Sequence, residues 1–128
     1  MNPWCVENFE KSGLTEKIRQ SKISLEEVEK KILEYLETWT EKGKNPICGN
    51  SVGQDRKTLY REMPRFEKDW SSYRTIDVSS IKELVKRWKP EILEEVKKIK
   101  KENHRAMDDI LESIEELKIY REKFFNLD

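Results

Sequence analysis

Apolar positions along this chain recur mainly at helical spacing. In "SLEEVEKKILEYLETWTEKG" Leu25, Val28, Ile32, Tyr35, Leu36 and Trp39 fall on one face of a helix. Ser24 with Glu27 forms a capping box at its start, and Gly43 and Pro46 mark its end. "SIKELVKRWKP" predicts a second helix, with Ser80 and Glu83 as a capping box, Ile81, Leu84 and Trp88 as the apolar face, and Pro90 as the stop. A third helix is predicted over 106–125, and the charged tract "EILEEVKKIKKEN" reads as a helix or a mobile lid. Two segments break this rhythm. "NPICGN" is a short apolar run after a proline, and "YRTIDVSS" is rich in Thr, Ile and Val. Both predict short strands followed by helices, which implies a parallel pairing. Two strands make a poor sheet, so an all-helical protein and an incomplete sheet both stay open. There is no internal repeat and no low-complexity linker.

Composition narrows the classes. The 128 residues suit one domain, and with 41% charged and 35% hydrophobic residues the core must be small. Formal net charge is zero, which removes any global electrostatic case for nucleic acid or an anionic membrane; anion binding would have to be local. No apolar run is long enough to span a bilayer, and the first residues resemble neither a signal nor a transit peptide. Cys5 and Cys48 stand apart and read as reduced intracellular thiols. With one histidine in the chain, the ligands are too few for a zinc site.

That histidine, His104, opens "HRAMDD". At about 100° per residue, Met107, Ile110, Ile114, Leu117 and Phe124 share a face. Asp108 then falls nearly opposite, in solvent. Asp109 falls on the edge, beside the small side chains Ala106 and Ser113. On pattern alone the simpler reading is preferred: Asp108 and Asp109 are helix-start charges favoured by the dipole, and His104 is a surface residue. In "GNSVGQDRKTL", Asp55 follows the first strand and opens a helix. Ligands in open α/β folds bind at strand ends, where carboxylates from two helix starts and a histidine could meet.

"NPICGNSVGQDRKTLYREMP", "YRTIDVSSIKELVKRWKPEI" and "HRAMDDILESIEELKIYRE" closely resemble oligoribonucleases, DEDDh-type 3′–5′ exoribonucleases with a ribonuclease H-like α/β fold. "MNPWCVENFEKSGLTEKIRQS" resembles the family segment that precedes them, so the resemblance covers residues 1–128 as one partial exonuclease domain. It implies metal-assisted phosphodiester hydrolysis in which acidic residues hold divalent cations, usually Mg or Mn. Asp109 matches a direct metal ligand and Asp55 a ligand acting partly through water. His104 matches the general base for the attacking water. The implied substrates are very short RNAs down to dinucleotides, gripped by a cap on the 5′-phosphate, which agrees with the absence of a basic groove. Ser51 and Arg74 match cap residues of one subunit, Tyr73 the tyrosine that crosses from the partner of a homodimer, and Trp4 a tryptophan near the dimer contact and the substrate. The implied setting is intracellular, cytoplasmic or mitochondrial, with no membrane.

The chain also departs from the family pattern. Its 128 residues contain no Asp-x-Glu, the motif that carries the other two metal-binding acids. The family histidine three residues before Ser-Gly-Leu is here Phe9, so one cap donor is missing. The expectation is an N-terminally truncated domain, mostly helical with about two short parallel strands, impaired or inactive by itself. Two other readings remain: a non-catalytic isoform or remnant that pairs with a full-length subunit, and a charged helical adaptor without a nucleotide site.

Overall fold

The computed structural model describes residues 3–100 and 105–127. At its centre are two strands, β1 (Ile47–Gly49) and β2 (Thr75–Asp77). They pair in parallel, with Ile47 opposite Thr75, Cys48 opposite Ile76 and Gly49 opposite Asp77. Parallel pairing requires a crossover, and α4 (Val52–Glu62) with a π-type turn at Phe66–Trp70 supplies it. Among the described residues the sheet has these two strands and no more. Both strand expectations therefore hold, and the all-helical alternative does not.

Three helices precede the sheet: α1 (Pro3–Lys11), α2 (Leu14–Gln20) and α3 (Leu25–Trp39). Gly13, at φ 70°, makes the left-handed corner between the first two. The expected capping box on α3 is present: Glu27 N–H donates to Ser24 Oγ at 3.2 Å, and Ser24 N–H donates to the Glu27 carboxylate at 2.8 Å. Val28, Ile32 and Leu36 turn inward, whereas Tyr35 and Trp39 are exposed. Glu29 is buried and accepts from Phe66 N–H at 2.9 Å, and Trp70 Nε1 donates to Thr40 Oγ1 at 2.9 Å. These two bonds fasten α3 to the Phe66–Trp70 turn.

After β2 the chain enters α5 (Val78–Trp88) without a loop. This corrects the expected start of the helix. Asp77, not Ser80, is the N-cap, and its side chain accepts from Ser79 N–H. The buried face differs as well: it carries Val78, Ile81 and Val85, and Leu84 and Trp88 lie outside it. Pro90 ends the helix and opens a short 3₁₀ turn, Pro90–Ile92, before α6 (Leu93–Ile99). The charged tract is thus a helix over 93–99, anchored by buried Ile92 and Val96. The last helix, α7 (Ala106–Ile119), runs into a π-type turn at Tyr120–Phe124, close to the expected 106–125.

The core is small, as the composition required. Val78, Val85, Ile92, Val96 and Tyr120 are buried together, with Ile81, Leu93, Leu117, Ile119 and Phe124 packed against them. The face of α7 that meets this core differs from the expected one. Leu117 and Phe124 pack inward, but Met107, Ile110 and Ile114 are exposed, as is Leu111. Asp108 is half-buried rather than solvated. The side of α7 turned inward instead carries Glu116, a carboxylate with no exposed surface. Among the described residues, no helix is long and apolar enough to cross a membrane.

Candidate active site

The site builds from the carboxyl end of β1. Asn50 follows the strand, and its Nδ2 donates to Ser113 Oγ on α7 at 2.9 Å and to Glu116 Oε2 at 3.4 Å. Ser113 Oγ donates in turn to the carbonyl of Asp109, one turn earlier, at 2.8 Å. This chain ties the first turn of α7 to the end of β1. α4 leaves the same strand end, with Asp55 in its first turn. Asp55 and Asp109 thus stand at the starts of two helices linked to one strand end, and both are exposed. Asp55 lines a shallow depression with Gln54, Thr58 and Leu59. His104 lies outside the described residues.

The Asp77 carboxylate joins the two strand ends. Its Oδ1 accepts from Ser51 N–H at 3.0 Å, from Ser79 N–H at 3.0 Å and from Ser79 Oγ at 2.6 Å. Burial works to raise the Asp77 pKa, but hydrogen bonds from the Ser79 hydroxyl and from the Ser51, Ser79 and Val52 amides outweigh it and hold the carboxyl below its ordinary value. Ser51 sits at the N-cap of α4 with φ 58° and ψ 39°, a left-handed conformation, and its side chain makes no capping bond.

Tyr73 and Arg74 lie just before β2. Arg74 Nε donates to Tyr73 Oη at 2.8 Å, and the guanidinium lies 5.1 Å from the ring centroid. Tyr73 is nevertheless 80% exposed, so the pair projects outward. Arg56 on α4 fixes its backbone. Nη1 donates to the carbonyls of Tyr73 and Arg74 at 3.1 and 3.4 Å, while Nε and Nη2 hold Glu67 at 2.8 and 2.5 Å. The ion pair is largely buried. Trp4, on α1, is half exposed. Just ahead of α7, the Arg105 guanidinium donates to the carbonyl of Ser12, in the turn that follows α1.

Asp77, Arg56 and Glu116 were not singled out from the sequence. A signal existed for Asp77, an Asp at a strand-to-helix junction, where N-caps are favoured. None existed for Glu116 or Arg56: the sequence does not show that Asn50 and Lys82 reach Glu116, or that the Tyr73 and Arg74 carbonyls reach Arg56.

The comparisons with known proteins agree with this architecture. The exonuclease family model matches residues 1–117. The oligoribonuclease of Colwellia psychrerythraea is 55% identical over 127 residues, which is 99% of this chain and 68% of that protein. Those of Haemophilus ducreyi and Vibrio parahaemolyticus are each 50% identical over the same shares. The family match, on a parallel strand pair with a helical crossover, gives the class as an α/β exonuclease domain of the ribonuclease H-like type. Within that class, the chain belongs to the oligoribonuclease family.

Exonucleases of this family generally use divalent cations. Among the described residues, no group of three or more His, Cys, Asp or Glu side chains is arranged to hold a metal ion. Asp55 and Asp109 alone leave much of the charge of two adjacent cations unbalanced. The described residues therefore do not fit a two-cation centre by themselves.

Proposed function

We propose that the chain serves 3′–5′ hydrolysis of very short oligoribonucleotides, dinucleotides included. The observation that carries this reading is likeness to oligoribonucleases across 99% of the chain. Ser51 and Arg74 hold the substrate's 5′-phosphate, and the exposed Tyr73 completes the cap of a partner subunit in a homodimer. For that crossing, Tyr73 exchanges its own Arg74 for the partner's substrate. Trp4 lies near the same contact. His104 takes the proton of the attacking water. Asp109 and Asp55 are the carboxylates this chain would offer a divalent cation such as Mg or Mn. We place this activity in a bacterial cytoplasm, in keeping with the sources of the relatives. The helical adaptor is not favoured, because the likeness runs through every candidate segment, and the activity named for the relatives favours exoribonuclease function over a role in pairing alone.

The test is hydrolysis of a 5′-phosphorylated diribonucleotide in Mn. The 128-residue chain, which contains no Asp-x-Glu, should cleave near background. A version with the Asp-x-Glu segment of a family member joined ahead of Met1 should release mononucleotides in a Mn-dependent way. Persistent inactivity of that version, or equal cleavage of long RNA, would overturn the proposal.

A further inference from the structure

Ser51 occupies a helix N-cap yet does none of the capping. A serine at this position ordinarily accepts from an amide of the first turn with its own hydroxyl. Here the backbone is left-handed, at φ 58°, and the side chain makes no such bond. Left-handed backbone is costly for a residue with a Cβ and persists only when its surroundings hold it. The turn is also close: a Cβ on Gly49 would stand 3.1 Å from Val52 Cγ1. What holds it comes from the neighbouring strand. The register sets Gly49 opposite Asp77, which brings the Asp77 carboxylate to Ser51 N–H at 3.0 Å. The same carboxylate caps α5 through Ser79.

We infer that Asp77 is a positioning residue for Ser51: it holds the Ser51 backbone left-handed and takes over the anchoring of α4, which leaves the Ser51 hydroxyl for the substrate phosphate. The last clause rests on the function proposed above. The first rests on geometry alone. Asp77 touches no substrate in this scheme; it acts through Ser51 and, through the first turn of α4, on Asp55.

The test is a thermal-melting cycle on Asp77→Ala and Ser51→Gly, joined to dinucleotide binding. Glycine adopts the left-handed conformation without help, so Ser51→Gly should restore part of what Asp77→Ala loses. With a loss of about 3–6 °C for Asp77→Ala, the double variant should recover roughly half. Ser51→Ala, which keeps the Cβ, should recover nothing. If Asp77→Ala does not fold, recovery of folding on adding Ser51→Gly supports the inference, and no recovery overturns it. Additive shifts overturn it as well. In binding, Asp77→Ala at a temperature well below its melting should weaken the 5′-phosphorylated diribonucleotide about tenfold more than the unphosphorylated one. Asp77→Asn, which keeps an acceptor oxygen, should stay near the parent. Equal weakening of both ligands overturns the positioning role. Coupling in the melts with no dinucleotide binding by the parent supports Asp77 as the holder of Ser51 and overturns the substrate reading alone.

Discussion

The hydroxyl of Tyr120 donates to the carboxylate of Glu116 at 2.7 Å, and both side chains are fully buried. Lys82 Nζ lies 3.5 Å and Lys100 Nζ 3.8 Å from the same carboxylate, and Asn50 Nδ2 completes its shell. One acid thus joins β1, α5, the end of α6 and α7. Removing it leaves the buried Tyr120 hydroxyl without its acceptor and takes the counter-charge from two partly exposed ammonium groups. Glu116→Ala should cost about 3 kcal/mol in chemical denaturation, and Tyr120→Phe about 1–2 kcal/mol. Burial and the Glu116 charge also hold the Tyr120 hydroxyl well above its ordinary pKa. A raised folded-state value gives stability that is complete below about pH 10, the unfolded value, and is lost as pH rises beyond it. Tyr120→Phe should remove that alkaline loss; an unchanged alkaline limb would refute the assignment.

Asp77 titrates in the opposite sense. Its depressed folded-state pKa adds stability above the unfolded value of about 4, and that stability is lost as pH falls through the folded value. The difference in stability between the parent and Asp77→Asn should therefore be largest at neutral pH and shrink below about pH 4. A difference that stays constant down to pH 2 would rule this out.

Arg56 holds the Tyr73–Arg74 backbone against α4 and pairs with Glu67. Arg56→Ala leaves Glu67 largely buried without its partner, at a cost of about 2–3 kcal/mol. It should also weaken 5′-phosphorylated dinucleotide binding. Arg56→Lys should not rescue it, because one ammonium cannot reproduce the guanidinium fork. Full rescue by lysine in both assays would show that charge alone matters.

Asp109 and Asp108 should separate by assay. Asp109 is exposed, so Asp109→Ala should leave melting unchanged while reducing Mn-dependent cleavage, in the version supplied with Asp-x-Glu, on the order of 100-fold or more. Asp108 is half-buried, so Asp108→Ala should lower the melting temperature and spare most activity. His104→Ala should reduce the rate by about 10²–10⁴-fold with metal affinity nearly intact. Equal loss of activity for Asp108→Ala and Asp109→Ala would show that the roles assigned to the two aspartates are wrong.

The face of α7 carrying Met107, Ile110, Leu111 and Ile114 is exposed, and Ile76 on β2 is exposed as well. Apolar surface of this kind, beside strands with few neighbours, favours association. Light scattering of the 128-residue chain should rise with concentration, and Ile110→Lys with Ile114→Lys should suppress that rise. Monodisperse behaviour of the parent at high concentration would contradict the prediction.

Local features were legible in the sequence because their causes are local. Ser24 and Glu27 of the capping box stand three residues apart, and Pro46 and Gly49 bracket the short apolar run that forms β1. Helix-start carboxylates at Asp55 and Asp109 could be read the same way, as could the family. What depends on partners distant in sequence was decided by the tertiary structure. Capping of α5 passed from Ser80 to Asp77 because β2 runs straight into the helix, and that carboxylate also reaches Ser51 across the strand pair. The inward face of α7 could not be read from its apolar stripe, because hydrophobic periodicity shows which side chains avoid water but not which neighbour covers them. In this chain the core-facing side carries Glu116, whose burial is tolerable because Asn50, Lys82 and Lys100 converge on it from three other segments and Tyr120 joins them one turn further along.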